Sequence, residues 1–343
     1  MGGGWRAFFT AMEVSLSEIT LVRRIGVGGF GEVWLALFMG EKWAVKRLQT
    51  VECRLPDEER AAMRREVAAM EMLRHTHVMT LMAYSLADDG MFLATEYMER
   101  GSLHDVLREG PSIDVRLEWA RHIARGMNYL HYQKPPILHG DLKSANVLIS
   151  AHNVARVADF GLSKAVSSTR SRESRRVSIQ WAAPELFVDD TPRYTTACDT
   201  YSYGIVLWEI ATGELPYAGL SAGVVAGRVA VGKRPPVPND CHPLLHRLMT
   251  DAWSQIAADR PSFASIIERL DDAGGQFVCS ERAQIVPDLY EPPKHHDMRA
   301  NLIDSKSENI KSDGRKSDAP AAVESSLRYY TALSTINVRV PSI

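Results

Sequence analysis

The tightest constraint in the sequence is a glycine loop that runs into a strand. Gly26, Gly28 and Gly31 form a Gly-x-Gly-x-x-Gly spacing, in which the absent Cβ atoms let backbone N–H groups approach phosphate oxygens. A dinucleotide-binding fingerprint would open a helix directly after its last glycine. Here EVWLALF follows, with Val33, Leu35 and Leu37 alternating, so the loop joins two strands and the dinucleotide reading loses its support. ITLVRRIG before the loop and EKWAVKRL after it complete three short strands with tight turns. Lys46 lies on the third, where a compact charge on a long stem can reach nucleotide phosphates. A solvated strand lysine is the plainer alternative.

A helix is expected from Pro56 to Leu73, with Pro56 in its first turn and Asp57, Glu58 and Glu59 complementing the dipole. Its apolar stripe is Met63, Val67, Met70 and Leu73, and Glu66 is the one acid within it. A carboxylate turned toward a core is costly unless a cation meets it, which makes Lys46 the natural partner, with a surface position at the stripe edge left open. Beyond Met98 the pattern turns helical: LEWARHIARGMNYLH sets Leu117, Ala120, Ile123, Met127 and Leu130 on one face. Further helices are expected over 201–211, 243–253 and 262–270. A strand-rich first part and a helix-rich second part predict an α+β molecule of two lobes, a small antiparallel sheet with one helix and a larger helical lobe. The boundaries read 1–16 as an N-terminal extension, 17–98 and 99–270 as the lobes of one domain, and 271–343 as a polar, largely disordered tail. The tail closes on SLRYYTALSTINVRV, apolar enough to engage a protein partner.

Composition narrows the functional classes. A 45% apolar content is that of a globular chain, and a net charge of −2 supplies no basic field for nucleic acid. Cys53, Cys198, Cys241 and Cys279 form no CxxC pair, so reduced intracellular thiols are expected instead of disulfides or zinc. No run approaches the ~18 apolar residues of a membrane span, and MGGGWRAFFTAMEVS has no long apolar core. Arg6 stands where a myristoylation pattern wants Ser or Thr. A cytoplasmic location is the expectation.

The chemistry concentrates in HGDLKSAN, a polar loop between the apolar runs Ile137-Leu138 and Val147-Leu148-Ile149, which are expected to be short strands. Such a loop presents Asp141, Lys143 and Asn146 at one edge. Phosphoryl transfer needs a carboxylate to orient a hydroxyl nucleophile and cations to absorb charge on the moving group, roles for Asp141 and Lys143. A second apolar run, ARVA, ends in Asp159-Phe160-Gly161. Asn146 and Asp159 are two oxygen ligands of the kind Mg²⁺ takes beside water and phosphate. Singly, each has a dull reading as a turn residue, a cap or a solvated strand end; their order and spacing together do not.

IGVGGFGEVW, AVK, Glu66, HGDLKSANVLI, DFG, AAPE, CDTYSYG and DRPSF stand in the order of the eukaryotic protein kinases, a resemblance covering about three quarters of the chain. ARGMNYLH and DLKSANVL are most similar to the tyrosine-kinase-like group, with its Raf-type and mixed-lineage serine/threonine kinases. The resemblance implies ATP and Mg²⁺ as cofactors and protein substrates. It implies that Gly26, Gly28 and Gly31 cover the phosphates, that Val33, Ala44 and Leu148 sandwich adenine, and that the backbone from Glu96 to Met98 hydrogen-bonds it. Thr95 would be a small gatekeeper opening a back pocket toward Met70 and Leu81. Lys46 would hold phosphates and pair with Glu66, Asn146 and Asp159 would hold Mg²⁺, Asp141 would be the catalytic base, and Lys143 would steady the γ-phosphoryl group. Met70, Leu81, His139 and Phe160 would stack internally, Glu185 would pair with Arg260, and Asp199 would bond the catalytic-loop backbone.

Two positions sharpen the implied function. Lys143 and Ser178 stand where serine/threonine kinases differ from tyrosine kinases, and Ser178 is placed to bond both Asp141 and Lys143. Dual or tyrosine specificity and a pseudokinase scaffold are the alternatives. Gly140 replaces the arginine that normally receives activation-loop phosphate, so the hydroxyl-rich segment from Leu162 to Ser178, with its five basic residues, is expected to tune activity without being required.

Overall fold

The computed structural model describes residues 11–28, 31–48, 64, 67–68, 70–87, 90–160, 178–188 and 193–275. Six strands make the first lobe: β1 (Met12–Glu13), β2 (Thr20–Gly28), β3 (Gly31–Phe38), β4 (Glu41–Leu48), β5 (Leu81–Ser85) and β6 (Phe92–Glu96). Their order across the sheet is β1-β5-β6-β4-β3-β2. Neighbours are antiparallel except β1, which runs parallel to β5. The sheet therefore begins ahead of Ser17, inside the stretch the sequence assigns to an extension. Short-range physics explains it: Ala11 and Val14 are buried, Val14 N donates to Tyr84 O at 3.0 Å, and Ser15 caps the turn Leu16–Glu18 with its N–H on Glu18 Oε2 at 2.8 Å.

The phase of β3 also differs from the simplest reading of its alternation. Ala36 and Phe38 are its buried positions toward the outer sheet core, with Trp43 and Val45, whereas Leu37 is exposed. Both faces of the strand are apolar, and the Phe38–Trp43 ring pair, 4.6 Å between centroids, settles which is covered. Of the helix expected over Pro56–Leu73, residues 64, 67, 68, 70 and 71 are helical and the others before Met70 lie outside the described residues; Val67, Met70 and Leu73 are buried.

The second lobe contains α1 (Leu103–Leu107), α2 (Ile113–Tyr132), β7 (Val147–Ile149), β8 (Ala155–Val157), α3 (Glu185–Val188), α4 (Thr196–Thr212), α5 (Ala222–Ala230), α6 (Pro243–Ala252) and α7 (Phe263–Gly275). On α2 the expected stripe is turned inward: Ala120, Ile123, Met127 and Leu130 are fully buried and Leu117 packs against them. α4 is buried on every side from Cys198 to Ile210, which makes it the post on which the lobe is built. It stops at Gly213, whose φ of +74° closes the helix in a conformation that suits glycine. The run Ile137-Leu138 is not a strand; Ile137 N turns back to Leu130 O at 3.0 Å, so only β7 flanks the polar loop. The lobes meet where His77 to Met79 pairs with β8: Val157 N donates to His77 O at 3.0 Å and Met79 N to Val157 O at 2.9 Å.

Candidate active site

Register alone brings the nucleotide-facing candidates together. Val33 lies opposite Lys46, Leu35 opposite Ala44, and Ala44 opposite Thr95, so Val33, Ala44, Lys46 and Thr95 share one face of the sheet. Gly26 pairs with Val33 and Gly28 with Gly31 at the end of the same hairpin. Gly31 takes φ +135°, a backbone state that a side chain would strain. Thr95 also pairs with Leu81, which places this small residue against the buried Leu81 side chain. Glu96 ends β6, Met98 follows it and is buried, and Leu148 comes from β7 of the other lobe, joined to that crossing by a bridge to Ser102.

From that face Lys46 reaches across the cleft: its Nζ is 2.8 Å from Asp159 Oδ1. Asp159 follows β8 at φ +56°, a left-handed state that a short polar side chain tolerates best. The Asp159 side chain is 48% exposed, so the partial withdrawal from water that would raise its carboxyl is outweighed by the Lys46 ammonium and its hydrogen bond, which hold it below the ordinary carboxylate range. It is thus ionised, as a metal ligand must be.

The polar loop supplies a second cluster. Asp141 Oδ2 meets Lys143 Nζ at 2.9 Å and accepts from Asn146 Nδ2 at 3.1 Å; the same Nδ2 donates to Asp141 O at 2.7 Å. With its nitrogen committed, the Asn146 amide has its oxygen left as a ligand atom. Asp141 Oδ1 is buried and takes no hydrogen bond from the described residues. An orphaned carboxylate oxygen in a cleft suits an incoming hydroxyl proton. Lys143 Nζ also donates to Ser178 Oγ at 2.9 Å; the second bond expected of Ser178, to Asp141, is not formed among the described residues.

The loop is held from below by Asp199 on α4. His139 N and Gly140 N donate to its carboxylate at 2.9 and 3.0 Å, and His131 Nε2 and Tyr194 OH approach at 2.8 Å each. Full burial works against its charge, yet these bonds and the nearby imidazoles keep its pKa low. Gly140 holds φ +80° there. Burial depresses His139, which is 0% exposed; its Nδ1 accepts from Asp141 N at 3.3 Å, the neutral imidazole of a packing residue. Met70, Leu81 and Phe160 are buried as well. Glu185 and Arg260 meet in a two-pronged pair at 2.7 and 2.8 Å. Glu66, Gly161 and the segment 161–177 lie outside the described residues.

A model of the protein tyrosine and serine/threonine kinase family matches residues 19–270. The chain belongs to that family. Among its relatives, mitogen-activated protein kinase kinase kinase 11 of Homo sapiens is 36% identical over 77% of this chain and 32% of its own length. The serine/threonine-protein kinases STY17 and CTR1 of Arabidopsis thaliana are 34% and 35% identical, each over 76% of this chain and over 45% and 32% of their own. The chain thus spans less than half the length of these relatives. No helix among the described residues is long and apolar enough to cross a membrane.

Some supporting residues of the site escape a reading of the sequence. Arg156 on β8 pairs with Glu96 at the crossing between lobes, a partner sixty positions distant. An arginine inside the apolar run ARVA was the available signal, since a strand of that kind buries a cation only beside an anion. His131 and Tyr194 carried no such mark; helical and loop residues of these types are common surface groups.

Proposed function

We propose that the chain is an ATP-dependent protein serine/threonine kinase. The supporting observation is the continuous contact from Asp141 through Lys143 to Ser178, together with the Lys46–Asp159 ion pair that joins the sheet to the second lobe. In this reading Asn146 and Asp159 hold Mg²⁺ and Lys46, paired with Glu66, holds the α- and β-phosphates. Gly26, Gly28 and Gly31 cover the phosphates, while Val33, Ala44, Leu148 and the backbone of Glu96 and Met98 take the adenine. Bound Mg²⁺ and ATP supply the transferable phosphoryl group and neutralise its charge. Asp141 Oδ1 orients the acceptor hydroxyl and receives its proton, and the Lys143 ammonium stabilises charge on the γ-phosphoryl oxygens. Lys143 is itself held by Ser178, so the acceptor side of the cleft is shaped by a short hydroxyl side chain. Protein substrates, a cytoplasmic location where ATP and Mg²⁺ are abundant, and a tail over 271–343 that engages a protein partner complete the reading. The test is transfer from γ-labelled ATP to a degenerate peptide library with phospho-amino-acid analysis. Phosphoserine and phosphothreonine that vanish in Asp141→Asn support it; phosphotyrosine alone, or transfer undiminished in that variant, overturns it.

A further inference from the structure

Four rings touch in series behind the lobe junction. His75 and His77 come from the turn ahead of β5, which Val78 N closes on His75 O at 3.1 Å, and His122 and Tyr129 come from α2. His75 stacks on Tyr129 with 4.9 Å between centroids, His77 stacks on His122 at 4.1 Å, and His75 meets His77 edge to face at 5.5 Å. The same turn joins the lobes, since His77 O accepts from Val157 N of β8.

The ring nitrogens are committed to that backbone. His75 Nδ1 accepts from His77 N at 3.1 Å, and His122 Nδ1 accepts from Ala155 N at 3.3 Å. A nitrogen that accepts an N–H carries no proton of its own, so both rings stand in the neutral form. His122 then donates from Nε2 to Glu118 Oε1 at 3.0 Å. Ala155 O can only accept, so His77 Nδ1 donates to it at 3.2 Å. A further proton on His75 or His122 would displace a backbone N–H, and one on His77 would set a buried cation face to face with His122.

The surrounding charges add to that cost. Burial first, and then the Arg125 guanidinium of α2, depress His75; burial, His122, His75 and Arg125 together push His77 down to about 4, against the bond to Ala155 O. Glu118 meets His122 and Arg121, Asp271 of α7 is taken up by Arg121 and Arg125, Arg156 of β8 pairs with Glu96, and Arg74 bonds Leu73 O. A cleft of about 240 Å³, lined in part by His75, Arg125 and Tyr129, gives water a way to the rings.

We propose that these histidines form an acid-sensitive latch on the lobe junction: neutral, they bind the turn over 75–77 to α2 and β8, and on taking up protons they release it. The latch lies outside the proposed catalytic cluster and does not depend on the kinase reading. In the released turn each imidazole titrates near its ordinary 6.5, whereas in the held turn protonation is suppressed. Opening is therefore indifferent to pH above about 7 and grows easier below it, by up to about tenfold for each of His75 and His77 between pH 7.5 and 5.5.

Hydrogen exchange of the full chain at the two pH values, corrected for the intrinsic pH dependence of exchange, reads the opening directly in peptides covering 74–80 and 153–158. Asparagine places an amide oxygen or nitrogen where Nδ1 stands and does not titrate, so the double variant His75→Asn, His77→Asn keeps the backbone bonds without the switch. The wild type is expected to lose protection about tenfold or more in both peptides at pH 5.5, with β3 and β4 unchanged, and the double variant less than about threefold. If the double variant fails to fold, His77→Asn alone carries the test, its loss at least about threefold smaller than that of the wild type. Equal protection of the wild type at both pH values, the same loss in the variant, or a loss of the same size in β3 and β4 overturns the proposal.

Discussion

Lys46 and Glu209 show how much one side chain decides. Lys46 places a point charge 2.8 Å from Asp159, and a guanidinium is a wider, planar donor that spreads its charge over a fork. Lys46→Arg is expected to lower kcat by about 100-fold while weakening nucleotide binding less than about fivefold, read by steady-state kinetics beside a binding titration. Near-native turnover would remove Lys46 from its assigned role. Glu209 gives a pH signature. Burial raises its carboxyl from 4.5 to about 7, against the pull of Ser144, Trp181 and Lys143. Between those values the folded chain keeps a proton that the unfolded chain releases, so stability falls as pH rises from about 4.5 to about 7 and levels off above, a change of a few kcal/mol at most. In melts from pH 5 to 8, the melting temperature of Glu209→Gln relative to wild type is expected to climb with pH. A constant difference would show that the carboxyl is ionised throughout. Lys46, Asp141, Asn146 and Asp159 were legible because each stands at the end of an apolar run or within a polar loop. Glu209 was not: it sits in an apolar helix, and its partners are 65 and 28 positions away.

Among the elements, packing faces decided what periodicity left open. The α2 stripe was read correctly because one side of that helix is polar, whereas β3 is apolar on both faces and only its neighbours on β4 determine which is covered. The short run Ile137-Leu138 looked like β7 in composition but has no strand to pair with. Two contacts between elements invite measurement. A Cβ on Gly126 of α2 would stand 2.4 Å from His77 O, a backbone atom that also accepts from Val157 N. Gly126→Ala is therefore expected to cost about 2 kcal/mol by forcing α2 away from the junction of the lobes, seen as a lower urea midpoint. An unchanged midpoint would mean that the junction yields freely. Arg260, with its side chain wholly buried, serves both oxygens of Glu185 and also the carbonyls of Ala197 and Ser254. Arg260→Lys retains the charge but not the fork, and a loss of about 3 kcal/mol is expected from denaturant unfolding. A loss under about 0.5 kcal/mol would show that charge alone suffices there.

For the molecule as a whole, the two lobes and their order could be read from the passage of strand period into helix period near Met98. The edge of the sheet could not, because β1 is two residues long and looks like nothing in a hydropathy pattern. Its parallel pairing leaves β5 with neighbours on both sides. A chain begun at Ser17 would keep every residue of the proposed catalytic cluster yet bare the outer N–H and C=O groups at Ala83 and Tyr84, together with the apolar surface that Ala11 and Val14 cover. Open edges of that kind recruit other edges. Such a shortened chain is expected to be active when dilute and to associate as its concentration rises, detectable by light scattering against the full chain; a monodisperse solution at high concentration would contradict this. The two residues of β1 would then matter less for what the protein does to others than for keeping copies of it apart.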